Sequence, residues 1–337
     1  MTSKPSIGGQ AVMEGVMMRG PESWAVAVRK PNKDIAVHSF PLPAYAANHP
    51  WTRKPLLRGV WTLVESLNLG FKALKISGSY AVEEEGDSPE DAAKVEKALN
   101  ASLGVGMVLV LALFVTIPAF LSKWGGNRIG VEGDLLQNLV EGGIRITFFL
   151  GYILLISFVP DIRRVFQYHG AEHKTIYAYE NDDPMDPEVI DRYSTLHVRC
   201  GTNFLFIVMF VAIIGHFLAD VLLADMPLAV KLAARVLMIP VVAGLSYEVI
   251  RAAGKNDRSI IFRTVSLPGL ALQKITTRPP THDQIEVAIK AMEGVINRVP
   301  SAEPAKVKVY EVKSPVESAA DLLHPEKKKR IPGIEPA

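Results

Sequence analysis

The residues best suited to chemistry stand together at His169-Gly170-Ala171-Glu172-His173. The order is H-x-x-E-H, the pattern of inverted zinc peptidases. On a helix the two histidines sit one turn apart on a shared face, so their imidazoles come close enough to hold a single metal ion. Glu172 lies beside them, placed to deprotonate a water activated by that metal. The flanking residues allow a helix: Ile162, Val165, Phe166 and Ile176 share a stripe with the histidines, and Asn181-Asp182-Asp183-Pro184 ends the run. Gly170 either weakens that helix by ~1 kcal/mol relative to alanine or admits another backbone at close range.

A metal site needs a further ligand. Glu180 falls on the same face by angle, but seven residues of helix carry it ~10 Å along the axis from His173. His197 and Cys200 are better placed, because imidazole and thiolate both suit zinc and the chain re-enters an apolar stretch at Phe204. The expected set is therefore His169 and His173, completed by His197 or Cys200. Glu172 is the expected catalytic base, and the expected cofactor is a divalent metal, zinc by ligand type. An inverted zinc peptidase also needs a distant acidic ligand, which this sequence does not display. The alternative is a set of polar residues packed between helices beside a membrane.

A second stretch, Gly8 to Pro21 (GGQAVMEGVMMRGP), sets Gln10, Glu14 and Arg19 among glycines and apolar residues. No Walker pattern accompanies it. It reads as substrate-binding side chains closing over the metal site, or as tightly packed backbone whose polar groups need buried partners. Glu65-Ser66 reads as the polar face of a helix.

The elements that must carry these residues follow from composition. The chain has 337 residues, 49% of them hydrophobic and 21% charged, with a mean hydropathy of +0.19. That apolar content exceeds what a soluble chain of this length needs, and it is concentrated between Leu103 and Val249. A net charge of +2 excludes a general nucleic-acid footprint. The single cysteine excludes an intramolecular disulfide. Met1 to Gly20 shows no continuous apolar region of the signal-peptide kind, so membrane insertion is expected to be led from inside the chain.

The expected fold is mainly α, a polytopic membrane protein with about four transmembrane helices near 102–121, 144–160, 203–223 and 228–249, each judged against the ~20 apolar residues a span requires. Residues 161–202 form a loop rich in arginine. Positive charge there and after the last span puts both termini on the cytoplasmic side of the membrane. Lys231 and Arg235 count against this unless they snorkel. The 1–100 region reads as a small α+β unit. Trp24 to Phe40 suggests a β-hairpin around Pro31–Asp34, and Leu56 to Leu74 an amphipathic helix suited to the membrane surface. A polar helix is expected over 89–100. In the 251–299 region Ser266-Leu267-Pro268-Gly269 suggests a turn, and Thr281 caps a helix with apolar positions Ile285, Ala288, Ile289, Met292 and Val295. The tail, 300–337, reads as disordered.

Five stretches together resemble the YqhQ-like family of bacterial membrane proteins. They are Gly8 to Pro21; Arg58-Gly59 with Glu65-Ser66-Leu67; FQYHGAEHKT from Phe166; LHVRCGTNF from Leu196; and PGLALQKITTRPPTHDQIEVAI from Pro268. The resemblance runs to about Met292. Val198 departs from the family's His-Pro-Arg-Cys but leaves His197 and Cys200 in place. The resemblance implies an integral membrane protein of a family of unknown function, labelled a predicted metal-dependent enzyme.

The function expected is a metal-dependent hydrolase at the cytoplasmic membrane interface. The competing expectation is a non-enzymatic scaffold or regulator. The lipid bilayer is the expected partner, and four short spans favour a homo-oligomer or a membrane-protein partner.

Overall fold

The computed structural model describes residues 4–42, 49–82, 134–223, 225–255, 259–297 and 308–310, with scattered positions between 97 and 124. The expected first span, 102–121, and the polar helix ahead of it lie largely outside the described residues.

The N-terminal region is an antiparallel sheet. Strands β1 (Gly8–Val12), β2 (Gly15–Arg19), β3 (Ser23–Arg29) and β4 (Ile35–Pro41) follow one another as a meander. The expected hairpin is the β3–β4 pair, in register from Ser23↔Pro41 to Arg29↔Ile35. The glycine-rich stretch ahead of it is a second hairpin, with Glu14 at φ 49° in its turn. Glycines and a lack of polar alternation hid these strands. β2 and β3 are apolar on both faces because the sheet is covered on both faces.

Helix α1 (Leu57–Val82) covers one face, packing Leu69 and Ala73 over Val12, Met17, Trp24, Val26 and Val28. The opposite face, with Val16, Met18, Ala25, Ala27, Ile35 and Val37, meets two helices. The first is α3 (Pro160–Glu180), which also runs beside β1; the short α4 (Pro187–Ile190) follows it.

Ahead of α3 comes α2 (Asp134–Ile156), and the chain bends by 98° between them. The expected second span is therefore a longer helix that stops at Ile156 and turns sharply at Pro160.

Next come α5 (Gly201–Leu222) and α6 (Leu228–Lys255), packed on each other. Among the described residues these two contain the helical stretches long and apolar enough to cross a membrane singly, Gly201–Ala219 and Val236–Ala253, with up to one more if α2 and α3 make a single bent span. The second stretch begins after Arg235, which leaves Lys231 and Arg235 ahead of it.

Helix α7 (Ile260–Thr276) contains Pro268, so the turn expected at Ser266–Gly269 does not form. Packing outweighs the proline there. Gly269 lies so close to Asn203 on α5 that a Cβ would sit 1.7 Å from Oδ1, and Leu272 and Gln273 are buried beyond it. Helix α8 (His282–Ile296) is the second helix on the sheet. It opens with a capping box between Thr281 and Gln284 and buries Ile285, Ala288, Ile289, Met292 and Val295. Burying each larger aliphatic side chain is worth about 1.5–3 kcal/mol. Strand β5 (Lys308–Tyr310), inside the tail expected to be disordered, pairs along β4. The exposed edge of β4 offers it backbone partners, and Lys290 lies 4.7 Å from the centre of the Tyr310 ring.

Candidate metal centre

The H-x-x-E-H residues fall in the second half of α3, where the helix is most buried. His173 is 1% exposed and Glu172 4%. The histidine rings lie 4.4 Å apart, centre to centre. Nδ1 of His169 is 2.8 Å from the Thr276 carbonyl at the end of α7, and Nδ1 of His173 contacts the Thr195 carbonyl. A carbonyl can only accept, so both Nδ1 atoms carry the proton and both Nε2 atoms are bare of one, able to accept from a thiol or to ligate a metal. This arrangement, with one ring nitrogen tied to a carbonyl and the other bare, is typical of metal-ligating histidines.

Both bare nitrogens face Cys200. Its sulfur is 3.2 Å from Nε2 of His169, and ligand atoms of His169, His173 and Cys200 all lie within 4.8 Å of one another. Cys200 is the N-cap of α5 and also accepts from the Thr202 N–H at 3.4 Å. One candidate ligand thus stands at the mouth of an apolar helix and two stand on the sheet-packed helix.

His197 is close by but turned differently. Its ring is 5.5 Å from that of His173. Its Nδ1 accepts from the Arg199 N–H at 3.2 Å, so Nε2 carries the proton and points toward Glu180 Oε2 at 3.8 Å. Both ring nitrogens are therefore engaged, whereas Cys200 is directed at the histidine pair. Glu180 also forms an ion pair with Arg199, which keeps it away from the cluster.

Glu172 is unusual. Burial pushes its carboxyl up to about 7, against smaller opposing effects from His169 and His197. Among the described residues its Oε2 has no hydrogen-bond partner. Gly9 on β1 covers the side chain so closely that a Cβ there would lie 2.8 Å from the carboxyl carbon. Burial also lowers His173 and, likewise, His197, which favours the neutral imidazole that ligates metal.

The carbonyl that fixes the His169 tautomer comes from far along the chain, at the end of α7. Gly170 faces the link from α7 to α8, where a Cβ would meet the Arg278 carbonyl oxygen at 2.1 Å, and the Arg278 N–H donates to Phe166 O at 2.9 Å. Close approach is therefore the reading of Gly170 that applies. Gln273 brackets His197, accepting from its N–H at 2.7 Å and donating to its carbonyl at 2.9 Å. Neither Thr276 nor Gln273 stood out by spacing; a glutamine within an apolar helix was the one available signal.

Gln10, Glu14 and Arg19 do not converge on the histidines. The Gln10 amide lies against Gly70 of α1. Glu14 pairs with Arg164 at 2.5 Å and accepts from the Tyr168 hydroxyl at 3.2 Å. Arg19 pairs with Glu65. Each ties the sheet to a neighbouring helix.

A two-sided sheet and helix unit, joined to helices apolar enough to cross a membrane and holding a His–His–Cys cluster at the junction, defines a membrane-associated protein. The chain belongs to the family described as "Protein of unknown function (DUF1385)", which matches residues 54–298. It is also 34% identical over 304 residues to the "Uncharacterized protein YqhQ" of Bacillus subtilis (strain 168), covering 87% of this chain and 92% of the relative. No solved structure matches it.

Proposed function

We propose that this protein is a metal-dependent membrane hydrolase, with His169, His173 and Cys200 as ligands and Glu172 as general base. What carries the reading is the pair of bare Nε2 atoms converging on the Cys200 sulfur, each held by an Nδ1–carbonyl contact. Two imidazoles and a thiolate suit zinc and leave a coordination position for substrate or water, as catalytic zinc sites do. The unpartnered Glu172 Oε2 fits the same design, since a buried polar atom without a partner is costly to keep.

When bound, zinc supplies Lewis-acid activation of water near neutral pH. The protein's own residues do the rest. Thr276 and Thr195 hold the imidazoles in the ligating tautomer. Gln273 anchors the His197–Cys200 turn. Glu172 Oε2 takes the proton from the attacking water and returns it to the leaving group as the substrate bond breaks, a role suited to a carboxyl that titrates near neutrality. Gly9 and β1 keep bulk water from the carboxyl. With a ligand at the cap of α5, the substrate class that fits is a lipid-linked or peptide group presented at the membrane. Four spans, with both termini and the site on the cytoplasmic side, complete the proposal; arginine between and after the apolar stretches supports that orientation.

One observation favours the scaffold reading as well: Glu14, Arg19 and Gln10 serve as ties between elements. The deciding experiment measures metal in detergent-purified protein, wild type against His173→Ala at matched folding and oligomeric state. Near-stoichiometric zinc that is lost in the variant is expected. Wild-type protein that holds no metal, and takes up none when it is added back, would overturn the enzyme reading in favour of the scaffold.

A further inference from the structure

We propose that α1 is an interfacial helix whose outward face, Leu57, Val64, Leu67 and Phe71, is embedded in the lipid leaflet beside the sheet. These side chains are 45%, 53%, 52% and 39% exposed. Their spacing places them along a single stripe, ~21 Å from end to end.

The packing of α1 changes along its length. Where it meets the membrane helix its buried residue is Gly59; further on Gly70, Ala73 and Ser77 are buried together with Leu69, and Leu74, Ile76 and Tyr80 pack against the sheet core. Large apolar side chains turn inward when water is outside. Small residues turn inward, with the large ones facing out, when lipid is outside, because close backbone contact then drives association.

Continuity with a membrane helix identifies the occupant. A Cβ on Gly59 would lie 2.6 Å from Tyr247 Cβ and 3.0 Å from Gly244 Cα. Both residues belong to Val236–Ala253, one of the stretches apolar enough to cross a membrane. The ion pair of Arg58 with Glu248 holds the same joint. The first turns of α1 are thus fixed beside a helix whose own Leu237 and Ile239 face outward. Exposed Arg53 and Lys54 just before α1, with Lys72 at the edge of the stripe, supply cations at the level of lipid phosphates. Beyond Gly70 the helix reaches the sheet, so the same element holds the sheet unit against the bilayer. The inference is independent of the metal.

The test uses the full chain in phosphatidylethanolamine–phosphatidylglycerol vesicles, photolabelled in parallel with a membrane-partitioning diazirine and a water-soluble one. Labelled residues are read by mass spectrometry. We expect the membrane probe to modify Leu57, Val64, Leu67 and Phe71 within about threefold of Leu237 and Ile239, and about tenfold above Val309 on β5. Labelling of the stripe by the water-soluble probe alone would overturn the proposal by making it a solvent face. Labelling by neither would also overturn it, because a second copy or another protein would then cover the stripe.

Discussion

Nε2 of His169 lies 3.2 Å from the sulfur of Cys200, joining a helix packed on a sheet to the cap of a helix apolar enough to cross a membrane. Either residue alone is unremarkable. Their contact, with His173 alongside, brings together a donor set that a metal ion would suit.

The choice of third ligand yields the first prediction. On the proposed ligand set, Cys200→Ala should lower zinc affinity about 100-fold or more, since a proposed ligand is lost. His197→Ala, which removes a ring engaged elsewhere, leaves near-stoichiometric zinc. Competition with a chromophoric chelator measures both, and equal loss in the two variants would reassign the ligand.

Glu172 makes stability depend on pH in the metal-free protein. Its carboxyl titrates near its ordinary value of 4.5 when unfolded and at about 7 when folded. The unfolded state therefore releases this proton first. The folded state loses stability as pH rises from about 4.5 to about 7, by on the order of 3 kcal/mol, and the loss levels off above that. Glu172→Gln should flatten this slope in denaturant titrations across pH 4–8. An unchanged slope would place the carboxyl in a wetter setting.

Gly170→Ala drives a methyl group into the Arg278 carbonyl. Relief requires α3 to separate from the α7–α8 link that also holds His169. We expect a cost of about 1–3 kcal/mol together with weaker zinc binding, measured by thermal unfolding and chelator competition on the same preparation. A variant as stable as wild type would show that the link yields freely.

Gln273→Ala strands the N–H and carbonyl of His197, at a cost of about 1–3 kcal/mol. Gln273→Glu keeps an acceptor for the N–H but sets a buried carboxylate against the His197 carbonyl, and at neutral pH should cost at least as much as alanine. Unfolding midpoints of both variants well below wild type support the two-point clamp, and a glutamate variant as stable as wild type would remove the donor half of it.

Glu14→Gln tests whether the N-terminal polar residues touch substrate or merely tie elements together. The pair with Arg164 is half exposed, 37% and 51% at the side chains, so screening limits its value to under about 1 kcal/mol. Metal content should not change. A large loss of either metal or stability would give Glu14 a greater part than the geometry does.

Much of this protein is legible in its residues because local physics dictates it. The 3.6-residue period of Ile285, Ala288, Ile289, Met292 and Val295, with Thr281 ahead, suffices to place α8 and its buried face. The spacing of His169 and His173 suffices to put two imidazoles on one side of α3. The unbroken apolar run from Phe204 to Gly215 marks a helix that suits lipid. Other features needed the tertiary structure, because they depend on partners distant in sequence. Pro268 and Gly269 spell a turn locally, and contact with Asn203 keeps them helical. Gly8 to Arg19 has no pattern of its own and becomes strands only when α1 and α3 cover both faces. The choice between His197 and Cys200 could not be read from spacing, because it depends on which lone pairs remain free. Carbonyls from Thr195 and Thr276, brought to the histidines by the fold, leave Nε2 of both rings directed at the Cys200 sulfur.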